Sequence, residues 1–179
     1  MALPSSGSIY LTGSATPNIK DEVTAALPPI KTGHGSIGSD LLNLIEWAFG
    51  IDGGISGGPS DMADFYSYPD TSSTRSITPA VTTSAGGMLI SFNVSPGGSN
   101  LECQVWRRSV NVGTTSSYIR LANRVVGSYW DGGVATTQST GQIWTSAHWI
   151  IIPHEPWGES KKMATWKSVN GIGYITQTL

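Results

Sequence analysis

From Gly86 onward the chain alternates between apolar and polar positions. Met88, Ile90, Phe92 and Val94 take every second place against Leu89, Ser91 and Asn93, and Pro96-Gly97-Gly98 supplies a turn. Leu101, Cys103 and Val105 then alternate with Glu102, Gln104 and Trp106, and Ile119, Leu121, Asn123 and Val125 stand opposite Tyr118, Arg120, Ala122 and Arg124. Successive side chains on a strand point to opposite faces, so this period of two predicts strands with one buried face. Gly132-Gly133 turns the chain, and Gln142 to Ile152 is the longest and most apolar strand candidate. Met163 to Val169 and Ile172 to Thr176 follow, separated by Asn170-Gly171, a pair that signals a hairpin turn. About six short strands with frequent turns predict an antiparallel sandwich or barrel.

Before Gly86 the pattern differs. Pro4 and Gly7 deny the opening segment a helix, and Ser5, Ser6 and Ser8 favour local turns, which predicts an extended arm. Asn18 to Leu27 can form a short helix, with Asn18 as its cap, Asp21 and Glu22 in its first turn, and Pro28-Pro29 as its stop. A stronger helix signal follows. Ser39 or Asp40 can cap it, Gly50 can end it, and Leu41, Leu44, Ile45 and Ala48 recur at three- and four-residue spacing on one face. Leu42, Trp47 and Phe49 fall elsewhere on the wheel, so this helix is apolar on more than one side. At about three turns it is too short to persist alone in water and needs a surface to lie against.

A weak repeat links these pieces. Gly7-Ser8-Ile9, Gly35-Ser36-Ile37 and Gly58-Pro59-Ser60-Asp61-Met62-Ala63-Asp64-Phe65-Tyr66 each join a small-residue bend to a capping serine or aspartate and an apolar patch. Such pieces bury little surface by themselves and gain order by lying on a partner. Asp52 to Ser84 is rich in Gly, Ser, Thr, Pro and Asp, without apolar periodicity. The expected fold is therefore mainly β: an N-terminal arm with one or two short helices over residues 1–70, a linker over 71–85, and an antiparallel β-sandwich over 86–179.

Composition sharpens the picture. Only 12% of the 179 residues are charged, about half the usual share, while Ser and Thr make up roughly a quarter. A surface of hydroxyls and backbone suits wide, dry contacts between subunits; it also suits a secreted β-protein. The net charge of -2, without a run of Lys or Arg longer than two, is no nucleic-acid footprint. Arg107-Arg108 and Lys161-Lys162 read as solvated strand or loop positions, and the lone Cys103 as a core residue rather than a nucleophile. The start of the chain lacks a basic, apolar leader pattern, and no apolar run reaches membrane-span length, so neither a signal peptide nor membrane insertion is expected.

Candidate chemistry is thin. Asp52, Asp61, Asp64 and Asp70 lack the Asp-x-Asp-x-Asp-Gly spacing that gathers oxygens around calcium. His148 and His154 are separated by Pro153, which leaves no imposed geometry for one metal ion. Glu155 and Glu159 sit in a loop with nothing to fix the separation that a glycosidase pair requires. No nucleophile elbow or phosphate loop is present, so no catalytic residue, metal or cofactor is expected. The tryptophans are more telling. Trp106 and Trp130 precede Trp144, Trp149, Trp157 and Trp166, and the odd spacing of Trp144 and Trp149 puts them on opposite faces of one strand. Such indoles fill a core, anchor a subunit contact, or stack on a sugar; Trp144, Trp149 and Trp157 are the candidates for the last two roles.

One resemblance gives these features a common setting. Met1-Ala2-Leu3-Pro4-Ser5-Ser6-Gly7-Ser8-Ile9 resembles the opening of many tailed-bacteriophage tail and fibre proteins, in which an ALPSSGxI arm precedes further serine-aspartate copies. Ser60-Asp61-Met62-Ala63-Asp64-Phe65-Tyr66 is similar to the SxSDFYG element that closes that module, with Ser67 in place of the glycine and Tyr10-Leu11-Thr12-Gly13 where a serine-aspartate pair is usual. The likeness covers about the first seventy residues. It implies a structural protein of the virion, in the tail, baseplate or fibre-attachment region, whose partners are other virion proteins and further copies of itself. The expected docking residues are Leu3, Pro4, Ile9, Ile37, Leu41, Leu44, Trp47, Phe49, Phe65 and Tyr66. The alternative is a receptor reader at the tail tip, with the C-terminal tryptophans on host-surface glycans; an enzyme acting on cell-wall or surface polysaccharide is the third class.

Overall fold

The computed structural model describes residues 7–14, 18–26, 44, 65, 75–96, 101–111, 114–115, 117–154 and 166–176. The chain forms two compact units, Met1–Thr74 with His154–Thr165, and Arg75–Pro153 with Trp166–Leu179. The second unit is therefore not one uninterrupted run, because the stretch after Pro153 belongs to the first.

In the first unit, helix α1 spans Ile19–Ala26, close to the range its cap and stop residues predict. The Asn18 side chain accepts a hydrogen bond from the Asp21 amide at 3.0 Å, which satisfies one of the amides that a helix start leaves open. The chain before the helix supplies two more acceptors. Ile19 N–H donates to the Tyr10 carbonyl at 2.9 Å and Lys20 N–H to the Leu11 carbonyl at 3.1 Å. The bends at Leu11–Ser14 are thus tied down by main-chain bonds. Ile19 and Val23, one helical turn apart, are fully buried. Leu44 is helical and fully buried, as the expected second helix requires at that position. The remainder of that helix, from Ser39 to Gly50, lies outside the described residues.

The second unit is mainly β, as the alternation predicts. Strands β1 (Ser76–Ser84), β2 (Gly87–Ser95) and β6 (Ser128–Asp131) form a three-stranded sheet in the order β1-β2-β6. Strands β3 (Glu102–Asn111), β4 (Thr114–Thr115), β5 (Ile119–Val126), β7 (Gln142–Pro153) and β8 (Lys167–Thr176) form the other. There β3 carries β4 and β5 on one side and β7 on the other, with β8 beyond β7. Every strand pairing is antiparallel. The core lies between the sheets: Met88, Ile90, Phe92 and Val94 of β2 pack with Cys103 and Val105 of β3 and Ala147, Trp149 and Ile151 of β7. Cys103 is a buried core thiol, in keeping with its place in the alternating run.

Two expectations need correction. The segment 71–85 is not simply a linker, since β1 occupies most of it and pairs with β2 along its whole length, from Ser76 opposite Ser95 to Ser84 opposite Gly87. Ile77 and Val81 carry its inward face, but Thr and Ser fill so much of the strand that the apolar period disappears. Asn170-Gly171, for its part, is no hairpin. β8 runs straight through it, with Asn170 opposite His148 and Gly171 opposite Ala147. Gly171 is small because the Trp149 ring lies over it: a Cβ there would come within 2.9 Å of the ring's Cζ3 and 3.3 Å of Val81 Cγ1. A glycine inside a strand here marks a close approach of side chains, not a reversal.

Substitution separates these two roles. Gly171→Ala should destabilise the protein by about 1–3 kcal/mol through overpacking against Trp149, whereas Asn170→Thr, at an exposed strand position, should be neutral within about 0.5 kcal/mol. Urea unfolding of both variants measures this, and the reverse order of effects would restore the turn.

Candidate functional site

Alternation carries the inward face of β3 from Cys103 and Val105 to Arg107, and that of β6 from Tyr129 to Asp131. The two charges meet. Arg107 Nη1 donates to Asp131 Oδ1 at 2.6 Å, with side-chain exposures of 15% and 4%. The same oxygen accepts the Gly133 amide at 3.0 Å, and Oδ2 accepts the Trp149 indole N–H at 2.9 Å. Arg107 and Trp149 are directly opposed on β3 and β7, while Asp131 belongs to the other sheet. A buried carboxylate with three donors is well satisfied, and its removal would strand the others. Gly133 makes room for the cation, since a Cβ there would lie 3.1 Å from the guanidinium carbon. Arg107 is therefore not the solvated position its neighbour-pair reading suggests. The signal for it is the period of two, which assigns this charge to the core face.

Arg108 points to the opposite face of the same sheet. Its guanidinium lies over the Tyr118 ring, 5.1 Å from the centroid, and its Nε is buried without a hydrogen-bond partner. Arg120 lies 5.7 Å from the Trp106 ring, whose N–H donates to Gln104 Oε1 at 3.1 Å. His148 stands opposite Arg108 on β7. Partial burial and the Arg108 charge both lower its pKa below the ordinary 6.5. Burial raises the Tyr118 phenol above 10.0, with Arg108 opposing that effect. Among the described residues, no three His, Cys, Asp or Glu side chains gather where they could hold a metal ion. His148 and His154 belong to different compact units.

The nominated contact residues fare unevenly. Leu44 and Phe65 are fully buried within the chain, so neither presents a surface to a partner in this conformation. Trp149 is likewise fully buried and bonded to Asp131, which removes it as a platform for sugar or subunit. Ile9 is half-buried. Trp144 lies in β7, opposite Tyr174, but its side chain lies outside the described residues, as do Leu3, Pro4, Ile37, Leu41, Trp47, Phe49, Tyr66 and Trp157. Among the described residues, the large apolar side chains that are exposed are Tyr10, Ile119, Val126, Trp130 and Ile172, none of them nominated from the sequence. No family model, curated protein or solved structure matches the chain.

Two measurements follow from these contacts. Asp131→Asn should cost about 3 kcal/mol or more, because it leaves the Arg107 charge buried without its partner, and chemical denaturation reads the loss directly. His148 gains its proton later in the folded state than in the unfolded chain, so the stability tied to it is complete above about pH 6.5 and falls as pH drops through the lowered native value. His148→Gln should remove that part of the acid-side slope, as followed by urea midpoints between about pH 8 and pH 5.

Proposed function

We propose that this chain is a structural protein of a tailed-bacteriophage virion, in the tail, baseplate or fibre-attachment region, held to neighbouring subunits through its N-terminal segment. The observation that carries the reading is the stretch Ala2-Leu3-Pro4-Ser5-Ser6-Gly7-Ser8-Ile9, with its partial echo at Ser60 to Tyr66. Scarce charge, abundant hydroxyls and a mainly β second unit agree with a subunit that makes broad contacts.

The anchoring of residues 10 and 11 gives the reading a physical basis. Their carbonyls hold the start of α1, so the main chain is fixed at the point where the proposed docking segment joins it. A docking segment tethered in this way loses less freedom on binding than one on a loose chain, and its apolar contacts contribute roughly 25 cal/mol per Å² against a smaller ordering cost. Tyr10, at 52% exposure, extends the contact surface beyond the residues nominated above. Its ring is separable from its structural duty, because α1 is held by the backbone of residue 10 and not by its side chain.

Deleting Met1 to Ile9 spares Tyr10 and Leu11 and should leave the protein folded while abolishing its incorporation into particles. Tyr10→Ser should keep α1 intact and weaken incorporation. Quantifying both variants in purified particles, with circular dichroism of the free proteins as the control for folding, tests the anchor; normal incorporation of the deletion would overturn it.

A further inference from the structure

The outward face of the three-stranded sheet sets one exposed tryptophan among small, uncharged side chains. Trp130 of β6 stands opposite Leu89 of β2, which stands opposite Thr82 of β1. The next row is Ala80, Ser91 and Ser128, and beyond it Thr78 faces Asn93. Trp130 is 50% exposed. Hydroxyl and amide side chains supply the remaining polarity of these rows, and no residue in them is ionisable.

The indole is seated and not simply left outside. A Cβ on Gly132 would lie 2.6 Å from ring atom Cζ3, and one on Gly87 would lie 3.0 Å from Cε2. The ring therefore lies against the first residue of β2 and the turn after β6, and its place depends on Gly132 being bare; at Gly87 the nearest atom to a Cβ would be the Asp131 carbonyl oxygen, at 2.5 Å, with the ring behind it. A side chain that merely tolerated exposure would not require a bare position beneath it. One side of the ring is held by the sheet while half its surface stays open to solvent.

We propose that this face binds a neutral saccharide, with Trp130 as the stacking platform and the flanking hydroxyls and amide as hydrogen-bonding groups. A hexose offers a face of C–H groups, which suits the electron-rich side of an indole, and a rim of hydroxyls, which suits uncharged donors and acceptors. A charged ligand would leave its charge unanswered on these rows. A protein partner would find one large apolar side chain among small polar ones, short of the clustered apolar centre on which such interfaces depend. The platform sits on paired strands and a ring with two rotatable bonds, so binding orders little of the protein. This site is separate from the virion reading: it concerns other residues, and its failure leaves the N-terminal anchor untouched.

The full chain, labelled with ¹⁵N, would be titrated with maltohexaose, cellohexaose and a neutral galactose-based hexasaccharide to about 20 mM, while the indole N–H resonances are followed. The Trp130 signal, assigned by its loss in Trp130→Phe, should move with at least one of them, and that of buried Trp149 should not. Trp130→Ala should weaken binding about tenfold or more. Gly132→Ala, which keeps the indole but displaces it, should also weaken binding, with an unchanged Trp149 signal showing that the fold survives. The proposal is overturned if none of the three sugars moves the Trp130 signal or if Trp130→Ala binds as well as the parent. It is overturned equally if that signal follows protein concentration alone, which would make the face a contact between copies of the chain.

Discussion

The hydrogen-bonded group centred on Asp131 is the constraint around which the second unit is arranged. A sandwich held by apolar contact alone can slide one sheet over the other at little cost, because burial has no direction. The carboxylate of β6 removes that freedom by engaging Arg107 of β3 and Trp149 of β7 together. Its distances leave little slack, and each donor comes from a different segment. An indole whose N–H must point at one oxygen has its ring plane decided as well, and the ring then decides what its neighbours can be. Gly171 is bare because of it.

This explains which parts of the fold were legible in the sequence. β2 and the first half of β3 declare themselves, since Met88 to Val94 and Leu101 to Val105 place apolar side chains on one face and polar ones on the other. β7 was visible as the longest apolar run, and α1 through Asn18 and the acidic residues after it. β1 was hidden because Thr and Ser serve equally well as strand residues facing water and as loop residues. β8 was broken in two by a dipeptide whose glycine answers to Trp149, 22 residues distant along the chain and adjacent only across the sheet. Local patterns report local causes, and the cause of Gly171 is not local.

The functional residues were less legible for the same reason. Reading Arg107 and Arg108 as a pair hides the fact that neighbours on a strand face opposite ways: one enters the core and meets Asp131, the other lies over Tyr118. Trp149 is an aromatic in an apolar strand, and its exposure depends on what the second sheet brings against it. Trp130 precedes Gly132-Gly133, a pair whose pattern signals a turn and carries no sign that the ring lies over Gly132. In the first unit, burial of Leu44 and Phe65 shows that part of the apolar content judged to need a foreign surface is already accommodated within the chain.

The contact between Trp149 and Gly171 also has an evolutionary reading. Neither position can drift alone: a side chain at 171 demands a smaller ring at 149, and a smaller ring gives up the N–H that Asp131 receives. Divergent forms of this fold should therefore change the three sites as a set, so that an aliphatic residue in the centre of β7 is accompanied by an ordinary side chain in β8 and by the disappearance of the acid from the end of β6.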